Sequence, residues 1–441
     1  MSDLLGIGAS GLRAYSRALS TIGDNIANAQ TPGYARRTLE LQENQAASNM
    51  PLYRSSIKPG GVQITGITRS VDAWLIADAR VSSGDAERSG IRLDWLERVE
   101  GALSDKSNGI STALTKLFTT ADQLSADPSN QALRAQFLQS VDDVASGFRT
   151  AAKQLEGMAD GVAGAADAAV DQFNTNLSAL EEINVGLRKA RPGSTNQASL
   201  LDERDRLLDK LSAQAGVTAT FDQHGAVTLR ATASGDTLVS GGVVTPIAVT
   251  AGADGRLSYS IGGTPMPIAT GTLAGYAEAA NHIADQRAGL DTMAMQFANE
   301  LNNAHQAGVD DGGNPGAPLF SGTSAANLTS TGLNPSQLAV GNATSGNGNM
   351  LAIGGMRGAG NPESQWAGHL ASQAQATASA RAHDAAAATR ADAASAARSS
   401  VSEIDIDREA ADLLRFQQAY SAAARTIQVA RETMQALLAA I

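Results

Sequence analysis

Apolar residues recur along the first thirty positions in two interleaved lines, each with a spacing of seven. Leu5, Leu12, Leu19 and Ile26 form one line, and Gly8, Tyr15, Ile22 and Ala29 follow them three residues behind. A 3.5-residue repeat held over four heptads predicts a helix with one seam facing a partner helix. The seam stops at Thr31-Pro32-Gly33-Tyr34, because the residue before proline is pushed out of the helical region and glycine follows at once. The other end of the chain repeats the pattern: Leu413, Tyr420, Ile427, Met434 and Ile441 stand seven apart, with Phe416, Ala423, Ala430 and Leu437 between them. From Ser402 onward there is neither Gly nor Pro, and Ser402 with Asp405 predicts a capped helix start. Gly6, Gly8, Gly11 and Gly23 each cost the first helix about 1 kcal/mol relative to Ala, so it needs a partner to be stable. The two terminal helices are therefore predicted to pair as a coiled coil.

Between them the period changes several times. Arg37 to Glu43 and Val62 to Arg69 alternate or are β-branched, which predicts an extended arm or hairpin. Helical spacing returns from Val71 to Leu103, from about Ser111 to Ser125, and from Asp127-Pro128, with Asp as cap and Pro at the first position, to about Lys189. Arg191-Pro192-Gly193-Ser194 breaks that helix before another from Leu200 to Leu211. Short runs separated by Gly and Asp follow: Val217 to Phe221, Ala226 to Arg230, Thr237 to Val239, Val243 to Thr250 and Leu257 to Ile261. They predict a small all-β insert. Helix resumes from Thr272 to about His305, the Gly-, Asn-, Ser- and Thr-rich stretch Gly308 to Gly360 predicts either loop or a segment ordered only by its neighbours, and Gln365 to Arg398 is Ala-dense helix.

The fold class expected is mainly α with a small all-β domain, built on long antiparallel helices. Residues 1–34 and 401–441 would form a terminal coiled-coil core. Residues 35–214 and 271–400 would form a helical bundle with an extended arm near 37–70, and 215–270 the β domain.

Composition supports this picture and narrows the chemistry. Of 441 residues 83 are alanine and only 4 % aromatic, which favours helix over a bulky core. The formal charge is −11 with no basic block, so nucleic-acid binding lacks its electrostatic driver. No run of about 18 apolar residues predicts a membrane span, and the first residues carry no basic segment ahead of an apolar one, so no cleaved signal peptide is expected. Cysteine is absent, which excludes disulfides, thiol nucleophiles and thiolate metal sites.

Candidate catalytic chemistry is thin. Gly6-Ile7-Gly8-Ala9-Ser10-Gly11 fits G-x-G-x-x-G but lacks the preceding strand that a dinucleotide site requires, so its small residues are read as room for a close backbone approach. His224, His282, His305, His369 and His383 are scattered without metal-ligand spacing and are expected at the surface or at helix caps. In Leu201-Asp202-Glu203-Arg204-Asp205-Arg206, Asp202 and Arg206 are spaced as i, i+4 partners on a solvated helix face. No catalytic residue, cofactor or metal is expected. The assembly interface is placed on the seams: Leu5, Leu12, Tyr15, Leu19, Ile22 and Ile26 at one end, and Leu413, Phe416, Tyr420, Ile427, Met434, Leu437 and Ile441 at the other.

Asp24-Asn25-Ile26-Ala27-Asn28-Ala29-Gln30-Thr31-Pro32-Gly33-Tyr34 resembles the signature of the bacterial flagellar rod, hook and hook-associated axial proteins. So do Gly61-Val62-Gln63-Ile64-Thr65-Gly66-Ile67 with Arg69 and Asp72, and Leu414-Arg415-Phe416-Gln417-Gln418-Ala419-Tyr420-Ser421-Ala422-Ala423-Ala424-Arg425 at the far end. The resemblance marks Asn25, Asn28, Thr31, Gly33, Tyr34, Phe416, Gln417 and Tyr420 as signature positions. Ser199 to Leu208 and Ala298 to Gly308 resemble the members found at the hook-filament junction, and rod and hook members usually lack those helices. The 308–360 stretch is short where many relatives carry a further β domain, so the resemblance implies that this outer domain is not expected here.

The resemblance implies a structural, non-enzymatic subunit of the extracellular flagellum, serving motility and exported without a cleaved signal peptide. Its implied partners are further copies of itself in a ring, the hook protein, the second hook-filament junction protein, the flagellar export apparatus and an export chaperone. Two alternatives stay open: a hook or rod subunit of the same family, and an exported peptidoglycan hydrolase carried by the β insert.

Overall fold

The heptad pattern at the N-terminus becomes one helix, α1 (Ser2–Ala27). The computed structural model describes residues 2–43, 60–104, 109–357 and 361–439. In the turn after α1 the Thr31 N–H donates to the Asn28 carbonyl, and Gly33 adopts φ +77°, a left-handed conformation that disfavours a Cβ. The two extended segments pair as an antiparallel hairpin of β1 (Arg37–Glu43) and β2 (Val62–Arg69), with Arg37 opposite Arg69 and a register shift between Glu40 and Leu41.

Four helices follow: α2 (Ala73–Leu103), α3 (Ile110–Ala126), α4 (Gln131–Lys189) and α5 (Thr195–Gln214). The start of α4 differs from the capping expectation at Asp127-Pro128. The Asp127 N–H still closes α3 on the Gln123 carbonyl, so that residue belongs to the helix it ends. Asn130 is the cap instead, its Oδ1 accepting the N–H groups of Ala132 and Leu133. Ser194 caps α5 by accepting the Gln197 N–H.

The β-rich stretch makes two antiparallel sheets. β3 (Val217–Phe221), β4 (Val227–Ala231), β5 (Thr237–Ser240) and β6 (Val243–Val244) form one, in sequence order, and β7 (Ile247–Ala251), β8 (Leu257–Ile261) and β9 (Thr264–Pro265) the other. After α6 (Thr272–Gln306) come the two-residue strands β10 (Phe320–Ser321) and β11 (Thr329–Ser330), a short α7 (Gly348–Gly354), then α8 (Pro362–Ser402) and α9 (Ile406–Ala439). Ser402 ends α8, its hydroxyl bonding back to the Arg398 carbonyl, so the expected start there is corrected: Asp405 caps α9, accepting the N–H groups of Asp407 and Arg408.

The chain divides into two compact units, Met1–Asp85 with Gln172–Pro246 and Ala388–Ile441, and Ala86–Asp171 with Ile247–Ala387. The β3–β6 sheet lies in the first and the β7–β9 sheet in the second. The second unit holds an apolar core in which Phe118, Phe137, Phe148, Phe297, Phe320 and Trp366 are buried. The Phe297 ring lies 6.4 Å from Phe148 and 5.7 Å from Phe320, centroid to centroid. The loop-like stretch after Gly308 is held by this core, into which Leu319, Leu328, Leu338, Val340 and Ile353 are sunk.

His305 pins the same stretch. Its Nδ1–H donates to the Ala317 carbonyl at 2.6 Å, and its Nε2 accepts the Ala339 N–H at 2.9 Å. It is fully buried, contrary to the surface or capping role expected for the histidines. Burial holds it below the ordinary histidine pKa, which matches a neutral ring that donates at one nitrogen and accepts at the other. No helix among the described residues is long and apolar enough to cross a membrane.

Candidate functional site

The first unit brings the two ends of the chain together. α1 packs antiparallel on α9: Gly8 faces Ile427, Gly11 faces Ala423, and the Tyr15 and Phe416 rings are 6.1 Å apart. The residues of α1 that are fully covered are small or polar, namely Gly8, Gly11, Ala14, Ala18, Thr21 and Asn25, together with Ile22. A Cβ on Gly8 would stand 2.6 Å from Ile427 Cγ1, so the glycine allows the approach that its sequence context predicts. Leu5, Leu12, Tyr15, Leu19 and Ile26 are half-buried along the flank of this line. On α9, Leu413, Phe416, Ile427 and Met434 are half-buried and Tyr420 is exposed; the Leu437 side chain and Ile441 lie outside the described residues. Leu4 and Ile7 on α1 and Ile406, Leu414, Val429 and Leu438 on α9 stand exposed.

Where the helices meet the turn, the signature residues form a hydrogen-bonded knot around Asn25, which is 0 % exposed. Its Oδ1 accepts the Arg37 N–H at 3.0 Å and the Tyr34 hydroxyl at 3.1 Å. Its Nδ2 donates to the Arg37 carbonyl at 2.9 Å and to Glu409 Oε2 at 3.0 Å. All four bonds available to the amide are thus made, as a buried Asn requires. Asn28 donates to the Asp24 carbonyl and accepts the Thr31 hydroxyl, which closes the turn. The Arg37 guanidinium stacks 4.5 Å over the Tyr34 ring, and burial pushes the Tyr34 hydroxyl up to about 12, so it stays a donor. Gln417 is exposed and takes no part.

Glu409 was not expected in this site. Its carboxylate is 0 % exposed and takes a second bond from Arg36 Nε at 2.6 Å. The signal was present in the sequence: Glu409 extends the heptad line of Phe416, Ala423 and Ala430 by one step, as an acid in an apolar seam.

The same strand leads into a second buried network. Asp202 and Asp205 on α5 are both nearly inaccessible, so the solvated face expected for Asp202 and Arg206 is corrected. Asp202 binds Arg37 Nη2 at 2.7 Å and Arg69 Nε at 2.8 Å, while Asp205 binds Arg69 Nη2 at 2.7 Å and Arg204 Nη2 at 2.7 Å. Arg206 instead pairs with Glu203 at the surface. Burial pushes the Asp205 carboxyl up, but Arg204 and Arg69 outweigh it and hold it below the usual carboxylate range. Arg80 bridges Asp205 and Asp209, and Arg398 on α8 also reaches Asp209. This is fixed, paired charge, suited to holding five chain segments together. Among the described residues no group of three His, Asp or Glu side chains is arranged to hold a metal ion.

Known proteins match along the same segments. A sequence profile described as the flagellar hook-associated protein FlgK helical domain matches residues 96–320, just over half of the chain. Profiles for flagella basal body rod protein and for the flagellar basal body rod FlgEFG protein C-terminal region match residues 5–34 and 397–440. Proteins named flagellar hook-associated protein 1 are similar: that of Salmonella typhimurium is 28 % identical over 334 residues, covering 73 % of this chain and 60 % of its own length. The Escherichia coli protein is 26 % identical with the same coverage, and the Bacillus subtilis protein 25 % identical over 70 % of this chain and 68 % of its own length. The chain thus spans about 60 % of the length of the first of these relatives. The solved flagellar hook junction protein FlgK of Burkholderia pseudomallei aligns with a TM-score of 0.49 and 22 % identity, over 55 % of this chain and 46 % of that one. On the match of its helical body, with rod-protein profiles at both ends, the chain belongs to the flagellar hook-associated protein FlgK family.

Proposed function

We propose that this chain is a structural, non-catalytic subunit of the bacterial flagellum that joins hook to filament. The observation that carries the reading is the helical-domain match over 96–320, combined with relatives named flagellar hook-associated protein 1. The rod-protein matches lie only at the two ends, where axial subunits of this family would share one assembly device, so they sit less well with a rod or hook subunit.

Assembly in this reading is coiled-coil packing of α1 and α9 within the subunit and against the same pair in neighbouring copies. The exposed apolar residues of both helices, and the shallow groove on α9 lined by Leu414, Gln417, Gln418, Ser421, Ala422 and Arg425, support a further layer of helices. Burying each large side chain contributes about 1.5–3 kcal/mol, and the sum over a ring of subunits offsets the cost of ordering the ends. The hook protein, the second junction protein, the export apparatus and an export chaperone are the partners this role requires. Passage through an export channel fits a chain without cysteine, and a glycine-weakened α1 that folds only against α9 fits folding coupled to assembly.

The test is electron microscopy of cells lacking the gene, with flagellin assayed in the medium. Completed hooks without filaments, and flagellin released, are the expected result. Cells without hooks would move the subunit down to the rod or hook, and intact filaments would overturn the reading.

A further inference from the structure

Hydrophobic periodicity leaves one feature of the terminal pair undetermined. Along α9 the line facing α1 runs Glu409, Phe416, Ala423, Ala430, with Ile427 and Met434 beside it. Sliding α9 by one heptad puts Phe416 where Glu409 was, Ala423 where Phe416 was, Ala430 where Ala423 was and Met434 where Ile427 was. Gly11 would again face an alanine, and Gly8 would face Met434 in place of Ile427. The slide replaces Phe416 by Ala423 opposite Tyr15, so that ring contact goes, and it breaks the polar contacts as well: Asn25 would face the Phe416 ring, its Nδ2 bond to Glu409 would be lost, and Glu409 would leave Arg36.

We infer that Glu409, through Asn25 and Arg36, is the residue that sets the register of α9 on α1. An apolar seam tolerates a heptad shift, whereas a buried amide deprived of its partner does not. A single buried polar contact in an otherwise apolar helix pair is the device best suited to choosing one register among several of similar apolar burial. The charge of Glu409 is a cost in a buried position, and Arg36 Nε at 2.6 Å compensates it from the residue after the turn. The pin thus joins three features of the chain: α1, the segment leaving the turn, and the first turn of α9. This inference concerns the subunit's own helix pair and stands or falls independently of where the subunit assembles.

The absence of cysteine makes the test direct, because an engineered pair is then the only disulfide that can form within the chain. A Cβ on Gly11 would lie 3.6 Å from the Ala423 Cβ, within disulfide reach, so Gly11→Cys with Ala423→Cys reports the observed register. Gly11→Cys with Ala430→Cys reports the register shifted by one heptad. Each pair is oxidised in the purified full-length chain and the intramolecular cross-link is quantified by mass spectrometry. Leaving one buried N–H of Asn25 unpaired corresponds to a preference of roughly 5- to 150-fold, so the first cross-link should exceed the second by at least about the lower factor. Glu409→Leu should lower that ratio several-fold, with the Tyr15–Phe416 contact still favouring the observed register. Glu409→Gln, whose amide oxygen still accepts from Asn25, should keep the observed register in excess. If Glu409→Leu forms neither cross-link, recovery of the first in Glu409→Gln supports the pin. An unchanged ratio in Glu409→Leu, or loss of both cross-links in both variants, overturns it.

Discussion

Replacing Asp202 by Asn tests whether α5 carries a surface charge face or a buried clamp. Asp202 accepts from Arg37 at 2.7 Å and from Arg69 at 2.8 Å, and all three side chains are less than a tenth exposed. Asn keeps the shape but removes the charge that compensates two guanidiniums. Arg69 retains Asp205, whereas among the described residues Arg37 retains no carboxylate, just the Ser199 hydroxyl at 3.2 Å and its stack on Tyr34, so most of the loss falls on Arg37. Removing one partner of a buried pair costs about 3–5 kcal/mol, and the remaining contacts argue for about 3 kcal/mol. The neighbouring Glu203 supplies the control, because its pairing with Arg206 is well exposed and worth only about 0–1 kcal/mol. The assay is hydrogen exchange of the full chain read by peptide. Segments 37–43, 62–69 and 195–214 should exchange roughly 150-fold faster in Asp202→Asn and nearly unchanged in Glu203→Gln. Segments of the second unit should not respond. Equal small effects of the two substitutions would refute the clamp and restore the solvated face.

Gly6→Ala and Gly23→Ala add a Cβ that meets nothing within 4 Å, so each should stabilise α1 by about 1 kcal/mol, seen as slower exchange of its amides. Gly8→Ala should instead loosen the helix pair by about 1–3 kcal/mol, because its Cβ would press on Ile427 Cγ1, and the penalty should shrink when Ile427 is already Ala. His305 has a folded pKa below its unfolded value near 6.5, so its contribution is complete above that value and is lost as the pH falls below it. Exchange of the Ala317 and Ala339 segments should therefore rise as the pH falls below about 6.5, and a flat profile would refute the pin. Leu19→Asp or Ile427→Asp should leave the second unit protected yet stop incorporation into flagella, and normal filaments from either variant would sink the seam assignment.

Much of the backbone plan was legible. The strands at 217–221 and 257–261, the helix starting at Thr272 and the stop before Pro32 follow from local period and turn chemistry, which act over a few residues. The capping signals at Asp127 and Ser402 misled, because the backbone at each was already committed to ending the preceding helix. The close approach expected of Gly8 and Gly11 is found, and it explains why the fully covered line of α1 is made of small residues while Leu5, Leu12, Leu19 and Ile26 flank it.

The sequence by itself determined the long helices, most of the strands and the stops between them, and a heptad pattern at each end, but not β10, β11 and α7 within 308–360 or the division of 243–250 between two sheets. The legible features are properties of neighbours in the chain, written in periods of two, 3.5 and 3.6 residues. Only the tertiary structure decided which charges are buried and what each one holds. Asp202 and Glu203 are adjacent in α5 and alike in chemistry, yet one is sealed between Arg37 and Arg69 and the other is at the surface. Glu409 is one of two acids in the first turn of α9 until Asn25 and Arg36, more than 370 residues earlier in the chain, close on it. A carboxylate's environment is set by the groups folding brings around it, and no local period encodes partners that far apart.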